Sequence, residues 1–95
     1  MIELSKGDIR RLKGEAQRLK SVLKLGKQGL SAEFLRALDE ALNHHGLVKV
    51  KLDEFKDQRR ELAPQLAEKS GSRLVTVVGH VIVLYRPKPE KPEKP

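Results

Sequence analysis

The chain has 95 residues and no cysteine, which allows one small core and excludes both a disulfide framework and a thiolate metal site. Twenty Lys and Arg against 13 Asp and Glu leave a net charge of +7, an excess that favours a polyanionic partner, although an acidic partner protein or solubility alone accommodates the same charge. No run approaches the roughly 18 apolar residues of a membrane span, and the start Met1-Ile2-Glu3-Leu4 lacks a basic segment followed by an apolar one, so a cytoplasmic protein without membrane contact, a monomer when free, is expected.

Ser5 with Asp8 makes a capping-box start, and Ile9, Leu12, Ala16, Leu19 and Leu23 recur on one helical stripe. On the flank of that stripe lie Lys6, Arg10, Lys13, Gln17 and Lys20, a ridge without a carboxylate, while Asp8 and Glu15 fall on the other flank. Residues 1–30 carry a net charge of +5, residues 31–70 a net of −1 and residues 71–95 a net of +3. The excess therefore sits on the first helix, the segment after it and the C-terminal end.

Val22 to Leu25 reads as a short strand, and Gly26-Lys27-Gln28-Gly29 follows it. Two glycines bracketing a basic and an amide residue, just ahead of a helix capped by Ser31, let main chain lie against a phosphate: glycine leaves no Cβ in the way, and a helix start adds unpaired N–H groups. A plain strand-to-helix turn uses the same residues. Phe34, Leu35, Leu38, Ala41 and Leu42 form the buried stripe of the second helix, Gly46 ends it, and Leu47 to Leu52 alternates with Lys49 and Lys51 on the polar face.

Asp53 is placed to cap a third helical stretch carrying Phe55, Leu62, Ala63, Leu66 and Ala67 and ending near Gly71, with a kink or a junction of two short helices expected at Pro64. Arg73 to Val78 and Val81 to Arg86 then flank Gly79-His80, a two-residue hairpin of type II′. The order α-β-α-β-α-β-β predicts an α/β domain over residues 1–87 with a four-stranded mixed sheet, built from parallel neighbouring strands and one antiparallel strand from the hairpin. One helix is expected across the far face of that hairpin while Lys24, Lys49 and Lys51 stay solvated. Residues 88–95, Pro, Lys and Glu only, read as a disordered tail.

The basic first helix ending at Leu19-Lys20, the segment Leu25-Gly26-Lys27-Gln28-Gly29-Leu30-Ser31, the segment Leu42 to Lys51 and the ending Val78-Gly79 through Tyr85-Arg86-Pro87 together resemble the CRM domain, the chloroplast RNA splicing and ribosome maturation domain, and within it the free-standing bacterial YhbY-like proteins. The resemblance implies a fold similar to the C-terminal domain of translation initiation factor three. It also implies RNA binding through the GxxG loop and adjoining basic surface, and association with ribosomal RNA in precursors of the large subunit. The chain departs from the family pattern at Ser21, Pro64 and His80, none of them in the loop.

With Phe34 and Phe55 assigned to the core and Tyr85 to its edge, no aromatic platform remains for stacking bases, so contacts to phosphate and sugar are expected. Lys24, Lys27, Lys6, Arg10, Lys13 and Lys20 supply charge, Gly26 and Gly29 close approach, and Gln28 a donor to phosphate or a 2′-OH. His44 and His45 point about 100° apart on a helix and do not make a metal site. No cofactor is implied, and no nucleophile elbow or P-loop marks an enzyme. The competing readings are a protein-interaction module for an acidic partner and a nonspecific nucleic-acid binder.

Overall fold

The computed structural model describes residues 4–20 and 23–87; the start of the first strand at Val22 and the tail of residues 88–95 lie outside them. The capping box opens α1 (Lys6–Gln17): Ser5 Oγ accepts from the Asp8 N–H at 3.0 Å and the Asp8 carboxylate accepts from the Ser5 N–H at 3.2 Å. β1 (Leu23–Leu25), α2 (Ala32–His45), β2 (Leu47–Leu52), a 3-10 turn (Lys56–Gln58), α3 (Arg59–Ser70), β3 (Arg73–Val78) and β4 (Val81–Tyr85) follow in the expected order.

The strands form one mixed sheet in the order β1-β2-β4-β3. β1 and β2 run parallel, and β4 runs antiparallel to both β2 and β3. The second crossover therefore does not return to a neighbouring strand; β4 lies between β2 and β3. Its apolar run explains the insertion, because Ile82, Val83 and Leu84 are all buried and need cover on both faces. α2 and α3 supply Leu38, Ala41, Leu42, Ala63 and Leu66 to the larger core against Val48, Val50, Leu52, Ile82 and Leu84. On the other face α1 sets Leu12 and Ala16 on Leu47, Val75 and Val83, the helix expected there.

Four local departures have physical causes. α1 ends at Gln17, short of Lys20, because Arg18 and Leu19 N–H groups bond back three residues to Glu15 and Ala16 and tighten the last turn; Leu19 is left 39% exposed. α3 runs unbroken through an exposed Pro64, and the junction of two short helices lies earlier, where the 3-10 turn meets Arg59. Asp53 does not cap α3, which starts after Gln58 with no side-chain cap. β3 carries a bulge between Leu74 and Thr76, so Leu74 and Val77 pack on the α2/α3 core while Val75 packs under α1. Gly46 and Gly71 end α2 and α3 as the sequence implies, and Gly79 alone takes positive φ in the hairpin, as type II′ requires.

Candidate nucleic-acid interface

Leu25 and Leu52 are register partners at the C-terminal ends of β1 and β2, and the Leu52 N–H bonds the His80 carbonyl at 2.8 Å. The segment 26–31, the bend 53–55 and the hairpin turn 79–80 therefore meet at one end of the sheet. There Gly26 to Gly29 forms a tight turn, closed by the Gly29 N–H on the Gly26 carbonyl at 3.0 Å. Gly29 adopts φ +65°, the left-handed conformation that glycine takes without cost. Gly26 has ordinary φ, and a Cβ built on it would meet nothing within 4 Å; its value is open space rather than backbone freedom.

The exposed tip is Lys27-Gln28, and among the described residues their N–H groups find no acceptor. The Ser31 N–H bonds the Gly29 carbonyl at 2.9 Å, and Ser31 Oγ accepts from the Phe34 N–H at 3.1 Å, so the turn feeds directly into the capped start of α2. Glu33 already complements the dipole of that first turn, which leaves the loop amides and neighbouring lysines as the groups open to an anion.

Lys24 and Lys51 are register partners on the α1 face of the sheet and both are exposed. Lys49 shares that face but is half-buried, and its Nζ donates to the Leu19 carbonyl at 2.8 Å; of the three strand lysines expected in solvent, this one is tied down. Lys13 and Gln17 line a groove with Lys49, Val78 and Val81 near the hairpin turn, toward the loop end. Ile9, by contrast, neighbours Arg73, Leu74 and Arg86 at the opposite end. Arg10 and Lys6 thus climb away from the loop, Lys6 by about 10 Å from Lys13 along the helix. Lys20 is exposed but follows the helix rather than riding on it. Among the described residues no carboxylate pairs with Lys6, Arg10, Lys13, Lys20, Lys24 or Lys27; the acids of α1, Asp8 and Glu15, pair with Arg11 on the other flank.

Two residues escaped sequence reasoning. Lys51 stands beside Lys24, a neighbour visible only once β1 and β2 are paired in register. Phe55, assigned to the core by its apolar character, is 38% exposed, and its ring lies on Gly29; Phe34 is packed against the core as expected. Among the described residues no group of three His, Cys, Asp or Glu is arranged to hold a metal, and no helix is long and apolar enough to cross a membrane.

A family model for the CRS1/YhbY (CRM) domain matches residues 4–86. An "RNA-binding protein" of Haemophilus influenzae is 38% identical over 80 residues, 83% of this chain and 81% of the relative. "Probable RNA-binding protein PA4753" of Pseudomonas aeruginosa is 40% identical over 85 residues, 86% of this chain and 82% of the relative. The solution structure of a Staphylococcus aureus protein described as a candidate RNA binder superposes with a TM-score of 0.80 at 32% identity, covering 96% of each chain. By the match over nearly all its described length, with the expected order of elements in place, the chain belongs to the CRS1/YhbY (CRM) domain family.

Proposed function

We propose that this protein binds the backbone of structured RNA through the Gly26–Gly29 turn and the lysines beside it, and that its target is ribosomal RNA in precursors of the large subunit. The observation that carries the reading is the turn itself: among the described residues the Lys27 and Gln28 amides are unbonded, Gly26 has open space, and Lys27 in the turn and Lys24 and Lys51 on the adjoining face have no carboxylate partner. A phosphate settling there gains charge-assisted hydrogen bonds from main chain and Coulombic attraction from side chains that have no competing partner. Relatives named RNA-binding proteins support RNA over an acidic polypeptide. The ribosomal target rests on the family resemblance.

Titration with structured RNA, duplex DNA and an acidic polypeptide at several salt concentrations tests the first half. If about five phosphates are neutralised, log K against log salt falls with a slope of roughly −3.5 to −4.5 for RNA. Lys27→Ala should bring that slope about one unit closer to zero; an unchanged slope removes Lys27 from the interface. Cosedimentation of the tagged chain with ribosomal particles, followed by crosslink mapping, tests the second half. Crosslinks confined to small-subunit RNA, or absence from all particles, would refute it.

A further inference from the structure

Phe55 is the one residue other than glycine at positive φ among the described residues, at +61°. A bulky side chain in the left-handed region carries a backbone cost that glycine escapes, and Phe55 bears it while 38% exposed. The bend is held rigidly: Asp53 and Glu54 N–H groups both bond the Leu25 carbonyl, at 3.0 and 3.2 Å. That anchoring sets the ring against the loop, where a Cβ on Gly29 would lie 3.5 Å from Phe55 Cε2 and 3.7 Å from Cζ. An open recess of about 390 Å³ is lined by Asp53, Glu54, Phe55, Asp57 and Gln58. Strain held beside a candidate site invites a functional reading.

We propose that the exposed surface of the Phe55 ring stacks an unpaired nucleobase of the RNA, the one next to the phosphate seated on the Gly26–Gly29 turn. This rests on the loop reading above and adds a base contact to it. Charge divides the two sides of the turn. Lys24, Lys27 and Lys51 attract the backbone, whereas Asp53, Glu54 and Asp57 repel phosphates, so what reaches the ring is the uncharged part of a nucleotide. A base offers a π surface to the ring, and its N–H groups offer donors to the surrounding carboxylates. Stacking of this kind tolerates any base, so it selects for unpaired nucleotides rather than for a sequence. A fully paired helix has no base to give.

The test uses the full chain and a hairpin RNA with a three-nucleotide bulge, the same hairpin with abasic sites in the bulge, and a fully paired control. Phe55→Asn keeps a residue that tolerates the left-handed bend and removes the ring; Phe55→Leu keeps an apolar contact with Gly29 but has no π surface. Both should bind the bulged RNA about 5- to 100-fold more weakly than wild type, with the salt slope unchanged because the ring neutralises no phosphate. Neither should lose more on abasic RNA, where wild type falls to their level. The chain has no tryptophan, so Phe55→Trp supplies a single reporter whose emission should be quenched by bulged RNA and not by the paired control. Wild-type affinity in Phe55→Leu, or equal binding of abasic and intact bulges by the wild-type chain, would reduce Phe55 to a prop for the loop and overturn the stacking role. If those results come with a changed slope in Lys27→Ala, the loop reading stands alone; if Lys27→Ala also leaves the slope unmoved, the stacking role falls and Lys27 leaves the interface with it. Abasic RNA on the unaltered chain decides the matter even if a variant fails to fold.

Discussion

Lys24 and Lys51 stand side by side as register partners on adjacent parallel strands, both exposed and neither with a carboxylate partner among the described residues. Like charges in direct register destabilise a sheet, and the cost is greatest at low salt. A phosphate lying between the two ammonium groups reverses the sign of that interaction. Lys51→Gln keeps most of the stem and removes the charge. It should raise the urea midpoint slightly at low salt, with the gain vanishing at high salt, while its RNA salt slope moves about one unit toward zero. Lower stability at low salt would show that Lys51 serves the fold instead.

The two loop glycines should separate by substitution. Gly26→Ala adds a methyl where nothing lies within 4 Å and φ is ordinary, so the melting temperature should hold or rise slightly as the unfolded chain loses freedom, while RNA affinity should weaken by about 1 kcal/mol or more if a phosphate approaches that Cα. Gly29→Ala forces a side chain into φ +65° and should cost about 1–2 kcal/mol of stability, a fall of several degrees in Tm for a domain of this size. Its new Cβ meets the Phe55 ring only at ordinary contact distance, so the loss should come from backbone strain rather than a clash. Thermal unfolding of both variants, with RNA titration of each, reads the contrast directly.

The elements legible in the sequence were those written in local chemistry. Ser5 and Asp8, Ser31, Gly46 and Gly71 mark helix ends through their own side chains or their own φ, and each does so in the structure. Alternation in Leu47–Leu52 also set the buried face correctly. What escaped depends on pairing at a distance. Lys51 becomes a neighbour of Lys24 only through the β1–β2 register, and Lys49 loses its solvation to a carbonyl 30 residues away. The bulge at β3 brings Leu74 and Val77, three residues apart, onto one face with no glycine to announce it. Phe55 misled for another reason: apolar character predicts burial on average, and nothing local says that this ring turns outward over Gly29. The loop was readable and the surface around it was not.

The α1 cap should make stability fall once the pH drops below 3.8. The Ser5 backbone N–H, then the Ser5 hydroxyl and more weakly Arg11, hold the Asp8 carboxyl below its ordinary value of 3.8, against a small opposing effect of burial. A carboxylate with a depressed folded-state pKa contributes stability that is fully present above 3.8 and is lost as pH falls through the lower folded value. Unfolding midpoints of wild type and Asp8→Asn should therefore differ at neutral pH and converge well below pH 3.8. A constant difference across that range would mean that the residue acts through something other than its charge.

Arg86 gathers the C-terminal end of the domain, and its replacement should cost more than that of any exposed lysine. Its guanidinium donates from Nη1 to Asp39 Oδ1 at 2.9 Å and to the Ser70 carbonyl at 2.6 Å, and from Nη2 to the Asp39 carbonyl at 3.0 Å and Asn43 Oδ1 at 2.8 Å. One side chain at the end of β4 thus fastens α2 and the last residue of α3. Asp39 is 57% exposed, so the ion pair itself is weak; the Arg86 side chain is only 18% exposed, so the hydrogen bonds carry the effect. Arg86→Ala should destabilise by about 1.5–3 kcal/mol, whereas Asp39→Asn, which keeps an acceptor, should cost less than about 1 kcal/mol. Arg86→Lys should recover little, because one ammonium cannot reproduce a planar fork spread over two helices. Urea unfolding of the three variants checks the order: full recovery by lysine would show that charge alone fastens this corner, and equal losses in Arg86→Ala and Asp39→Asn would return the effect to the ion pair.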